Sequence, residues 1–155
     1  LPISTRSMQV RIPAGVTDGQ RIRIKGKGGS GENGGAPGDL YVLVHVRPHK
    51  LFGRKGDNLT LTIPVTFTEA ALGADISVPT LGGQRVTLKI GAGTPNGRTF
   101  RVRGKGVHKA DGTSGDLLVT VEVQVPNQLN DTAKEALESF AAALGESDPR
   151  SSLYG

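Results

Sequence analysis

Residues 10–28 read VRIPAGVTDGQRIRIKGKG, and residues 88–106 read LKIGAGTPNGRTFRVRGKG. At an offset of 78, eight of these nineteen pairs are identical, among them Ala14/Ala92, Gly19/Gly97, Arg23/Arg101 and Lys27/Lys105. After a variable stretch the match resumes with one residue deleted: Gly38-Asp39-Leu40 faces Gly115-Asp116-Leu117, and Val42, Val44 and Val46 face Val119, Val121 and Val123. A repeat of this kind is one supersecondary unit used twice: strand, turn, strand, Gly-rich loop and a further strand. The expected architecture is therefore all-β, with two tandem related β-sandwich-like domains. The expected boundaries are 1–50 for the first copy, 51–127 for the second, and 128–155 for a helix and tail.

Period-two alternation supplies the strands, because successive side chains on a strand point to opposite faces. Leu40, Val42, Val44 and Val46 share one face; Leu59, Leu61, Ile63, Val65 and Phe67 share another, and Val86, Leu88 and Ile90 a third. Asp18-Gly19 and Asn96-Gly97 each separate two alternating runs and read as turns in which Gly takes positive φ. The Gly-rich stretch 28–38 reads as a mobile surface loop. One segment has helical period: Leu129, Ala133, Leu137, Phe140 and Leu144 recur at three- and four-residue steps in a stretch rich in Ala, Leu, Glu and Lys. Thr132 with Glu135 offers a capping box and Gly145 a stop. A shorter helical turn is predicted over 69–72, ended by Gly73, and the tail from 146 reads as loose.

Composition narrows the function. Of 155 residues, 23 are Gly and 9 are Pro, yet no G-X-Y period exists, so collagen is excluded. Hydrophobic residues make up 35% and aromatics 4%, so the core must be built from Val, Ile and Leu. With no cysteine there is no disulfide framework, thiolate metal site or thiol nucleophile in the chain. No apolar run reaches the length of a membrane span or a signal sequence, which points to a soluble cytoplasmic protein with no membrane partner. The net charge of +5 invites a nucleic-acid reading. However, Arg21, Arg23, Lys25 and Lys27 alternate with Ile22 and Ile24, as Arg101, Arg103 and Lys105 do around Val102. That is the pattern of a solvated strand face. The few aromatics gather on no single strand, so no stacking platform for nucleic acid is expected.

Motifs for catalysis fail on context. Gly26-Lys27-Gly28-Gly29-Ser30-Gly31 matches G-x-G-x-x-G, but no helix opens at its third glycine to receive a pyrophosphate. His45, His49 and His108 have no carboxylate cluster beside them that would complete a metal site. Asp39 and Asp116 stand at the same place in both copies, which points to hydrogen bonding of a turn rather than acid–base work. Asp57, in a Gly-Asp-Asn turn, reads the same way. No catalytic residue and no metal ligand is expected.

The strings VRIPAGVTDGQRIRIKGKG, GDLYVLVHVRPHKLFGRKGDNL, EAALGADISVPTLGG, RVRGKG and GDLLVTVEVQVPNQL, in this order, resemble the C-terminal region of DnaJ, the Hsp40 co-chaperones, and bacterial members above all. The resemblance covers about residues 8–144. It implies a client-binding groove on the first β domain, followed by the second domain and a dimerisation segment. Clients are unfolded polypeptides that dock in extended form and pair with a strand edge. Two groove positions of the family fall on Met8 and Val42, and a flexible thioether at position 8 suits varied apolar partners. The counterparts in the second copy, Val86 and Val119, mark a possible second client surface. Leu129, Leu137, Phe140 and Leu144 are the expected dimerisation residues of a homodimer.

Departures from the family pattern qualify this. No His-Pro-Asp signature of the Hsp70-stimulating J domain occurs, nor any Gly/Phe-rich linker or C-x-x-C-x-G-x-G zinc repeat. The resemblance thus implies a fragment of a longer protein whose first β domain is incomplete. Such a fragment carries no cofactor of its own, although the parent could bind zinc through a module absent here. It would meet Hsp70 only through that parent. The alternatives are a dimerising spacer that binds no client and a basic nucleic-acid-binding β module. Loss of client holding in a charged Val42 variant separates the first from the leading reading. Steep salt dependence would mark the second.

Overall fold

A computed structural model describes residues 9–26, 28, 38–145 and 148–154. The chain divides into two compact units, Leu1–Val123 and Gln124–Gly155. Among the described residues the strands run in the order β1 (Arg21–Ile24), β2 (Leu40–Leu43), β3 (Gly53–Lys55), β4 (Asn58–Thr66), β5 (Ala74–Pro79), β6 (Arg85–Ile90), β7 (Thr99–Val102) and β8 (Leu117–Gln124). Helix α1 (Phe67–Leu72) connects β4 to β5, and α2 (Asp131–Leu144) follows β8. The strands form three sheets: β1 with β2, the order β3-β4-β8-β7, and β5 with β6. The fold is all-β with a helix near the C-terminus, as the periodicities predict.

The internal repeat survives bond by bond. Arg21 pairs with Leu43 and Ile24 with Leu40 across β1 and β2; Thr99 pairs with Thr120 and Val102 with Leu117 across β7 and β8, at the equivalent places. Each turn is closed alike, Gly19 N–H donating to Val44 O at 2.7 Å and Gly97 N–H to Val121 O at 2.9 Å. These two glycines have φ of 82° and 86°, a region that only Gly enters at no steric cost. The Asp18 and Asn96 side chains accept the Val46 and Val123 N–H groups at 2.9 and 2.8 Å. At the far end, Gly28 N–H meets Gly38 O and Gly106 N–H meets Gly115 O. A Cβ on Gly106 would come within 2.5 Å of Asp116 backbone atoms, so the close approach of the segments beyond β7 and before β8 requires glycine there.

The core belongs to the second copy. Leu59, Leu61, Ile63 and Val65 on β4 and Leu117, Val119 and Val121 on β8 are buried at every second position. With Phe52, Ala70, Val78 and Val107 they form one apolar cluster, against which Ile76, Val86 and Leu88 of the β5–β6 hairpin pack. A sheet closed on one face by a hairpin is a small sandwich. On β1 the predicted solvated face holds: Arg21 and Arg23 are exposed while Ile22 and Ile24 are half-buried.

Three expectations need correction. Phe67 does not extend the apolar face of β4; the strand ends at Thr66, whose side chain caps α1 by accepting the Glu69 N–H at 3.1 Å. Glu69 returns a bond to the Thr66 N–H at 2.9 Å, which completes a capping box and starts the helix at residue 67. Helix α2 is capped not by Thr132 but by Asn130, whose Oδ1 accepts the Ala133 N–H at 2.8 Å. Gly145 ends α2 as expected, with φ 77°. In the tail, Ser151–Leu153 form a single 3-10 turn. Residues 29–37 of the predicted loop lie outside the described residues, as does Lys27.

Candidate functional site

Val42 occupies β2, opposite Ile22 of β1, and is half-buried. Its inward neighbour Val44 is buried, while Tyr41 and Leu43 on the other face are 59% and 52% exposed. Met8 lies outside the described residues. The repeat provides an internal control: Val119, equivalent to Val42, is 0% exposed and sits within the apolar cluster. Its side chain has no surface for a ligand, whereas Val86, opposite Val78, is half-buried. On α2 no residue is buried; Leu137, Phe140 and Leu144 are exposed along one stripe, with Leu129 just before the helix.

Asp39 and Asp116 do the same structural work. Asp39 accepts the Gly26 N–H at 3.2 Å and the Arg23 Nε–H at 2.7 Å; Asp116 accepts the Gly104 N–H at 3.0 Å and bonds Arg101 at 2.5 Å. In each, the glycine N–H first and then the guanidinium hold the carboxyl below its ordinary range. They pin the turn after β1 or β7 to the start of β2 or β8. Asp57 pairs with Lys109 at 2.9 Å, and this carboxylate raises the lysine's pKa. His108 Nδ1 lies 2.6 Å from Ser114 Oγ, and His49 Nδ1 accepts the Leu51 N–H at 3.0 Å.

Sequence reading did not foresee a cleft of about 670 Å³ beyond the end of β2. Its apolar surface comes from Val16, Val46, Phe52, Leu59, Leu81 and Val107. Arg54 ties its wall together, donating from Nη1 to Val16 O at 2.9 Å, from Nη2 to Gly15 O at 2.8 Å and from Nε to Gly56 O at 2.8 Å. Arg54 thereby joins the turn before β1 to β3, across 38 and 39 residues of sequence. No local pattern announces such a contact. Among the described residues no helix is long and apolar enough to cross a membrane.

The family model of the DnaJ C terminal domain matches residues 3–126. The chain is 64% identical over 151 residues to "Chaperone protein DnaJ 1" of Streptomyces coelicolor, covering 97% of this chain and 38% of that protein. It is 65% identical over 147 residues to "Chaperone protein DnaJ 2" of Cutibacterium acnes, covering 95% and 39% respectively. To "Chaperone protein DnaJ 1" of Mycobacterium tuberculosis it is 58% identical over 153 residues, covering 97% and 38%. The chain thus spans under two fifths of the length of these relatives. The family model covers most of the chain and the relatives match nearly all of it, so the chain belongs to the DnaJ C-terminal domain family.

Proposed function

We propose that the chain is the client-holding part of a chaperone. It binds exposed apolar segments of unfolded polypeptides in the cytoplasm, without a cofactor and without catalysis. Within a longer protein it keeps them available to Hsp70. The observation that carries this reading is the unequal burial of equivalent positions: Val119 is sealed in a core, whereas Val42 is half-buried beside exposed Tyr41 and Leu43. A partly accessible apolar side chain on a strand is what an extended apolar segment would seek, and Tyr41 and Leu43 leave the opposite face of β2 apolar and open as well. The groove is assigned to Val42 and Met8 in the first copy, residues 1–50. Residues 51–127 form the second domain, where Val86 offers a lesser surface. Residues 128–155 join two chains through Leu129, Leu137, Phe140 and Leu144, and two grooves on one particle gain avidity for a long client.

The test is suppression of aggregation of a denaturant-unfolded model protein by the chain and by its Val42→Asp and Met8→Asp variants, with circular dichroism confirming each fold. The parent is expected to suppress aggregation and both folded variants to lose most of that effect. Equal suppression by all three would overturn the groove, and an inert but folded parent would identify the chain as a spacer.

A further inference from the structure

The cleft beyond β2 is a separate feature from the groove at Val42, which is not among its lining residues. Its volume of about 670 Å³ lies inside the range of about 300–1,000 Å³ typical of ligand sites. Phe52, Leu59 and Val107 form a nearly dry floor, each under one tenth exposed, and the Phe52 ring is held edge-on to His49 at 5.1 Å. Val46 and Leu81 remain accessible at the rim, 41% and 52% exposed, Leu81 arriving from the turn between β5 and β6.

Cationic side chains outnumber carboxylates around this apolar floor. Arg47 and Arg54 line the cleft, and among the described residues neither is paired with a carboxylate. Arg54 is fixed by three backbone carbonyls, so its charge stays in place. The single carboxylate of the lining, Asp18, is already engaged by the Val46 N–H at 2.9 Å and lies 3.8 Å from His45 Nδ1. His49 and His108 add further nitrogen groups; with Nδ1 of His49 accepting a backbone N–H, its ring proton sits on Nε2. Val46 and Arg47 are consecutive, so an apolar and a cationic group are presented side by side.

We infer that this cleft binds an extended polypeptide segment carrying a large apolar side chain with an aspartate or glutamate next to it, the apolar group on the Phe52 floor and the carboxylate at Arg47. Apolar burial supplies affinity, and the cationic rim selects acidic over basic flanks. The inference does not depend on the groove at Val42.

It is tested by fluorescence anisotropy of two labelled peptides with the same apolar residues, one flanked by Glu and one by Lys, at physiological salt. Four variants are compared: Arg47→Gln, Leu81→Ser, Val42→Asp and Arg103→Gln. The last removes the same charge from an exposed site outside the cleft. The Glu peptide is expected to bind about three- to fivefold tighter than the Lys peptide, a preference lost in Arg47→Gln. Leu81→Ser is expected to weaken binding about fivefold or more. Arg103→Gln stays within about twofold of the parent, and the Glu-over-Lys preference persists in Val42→Asp whatever the groove adds to total affinity. Equal affinity for the two peptides, or an equal loss in Arg103→Gln and Arg47→Gln, would overturn the inference. So would loss of binding in Val42→Asp with Leu81→Ser unaffected, which would move the peptide to the groove instead.

Discussion

Asp39 and Asp116 show how one side chain serves the fold twice. Each carboxylate takes a glycine N–H and an arginine, and each is held below the ordinary carboxylate range by those partners. A depressed folded-state pKa contributes stability that is fully present above the unfolded value of about 3.9 and is lost as pH falls through the lower folded value. The thermal unfolding midpoint should therefore drop steeply once pH passes below about 4. Asp116→Asn keeps the side-chain shape but removes the charge, so its midpoint should be lower than the parent's near neutrality and fall less steeply in acid. Calorimetry from about pH 6 to about pH 2.5 checks this, and parallel curves would show that Asp116 contributes nothing through its charge.

At the scale of elements, the ends of the helices depend on single polar side chains. Helix α2 has no buried residue in the chain, so within it helix propensity and caps carry more weight than packing. Asn130→Ala removes the bond to Ala133 N–H and should cost about 1 kcal/mol of helix stability. Amide exchange in the first turn of α2 should then quicken about fivefold, while the strands keep their protection. Asn130→Asp should restore the parent's rates.

The strands were legible because each buries one face, which writes period two into β4, β6 and β8. The repeat made the turns legible too, since Gly19 and Gly97 recur in the same place. Phe67 was misread because its apolar character continued the alternation across a capping box, and the box, at Thr66 and Glu69, overrides it. The cap of α2 was misplaced by one half-turn because Asn130 and Thr132 both stand where a cap can form. Val42 and Val119 look the same in sequence and differ in burial through what covers them. The cleft was invisible for a similar reason: its lining is gathered from six separate stretches of chain.

For the whole molecule, the two compact units separate two sets of effects. Changes on the surface of α2 should leave the sheets intact. Leu137→Glu with Leu144→Glu is expected to convert the proposed dimer into a monomer at micromolar concentration, with the thermal midpoint of the sheets unchanged. Sedimentation velocity over a concentration series checks this; a parent that stays monomeric throughout would remove dimerisation from the proposed function.

The order of strands in the large sheet also has a consequence in time. β4 lies between β3 and β8, and β8 starts 51 residues after β4 ends. At about 5–20 residues per second of synthesis, β4 leaves the ribosome roughly 3–10 seconds before its inner neighbour exists. For that interval Leu59, Leu61, Ile63 and Val65 form an apolar ridge with one open hydrogen-bonding edge, the form of strand most prone to join another chain. The nascent chain is thus briefly the kind of polypeptide that its own family is proposed to hold.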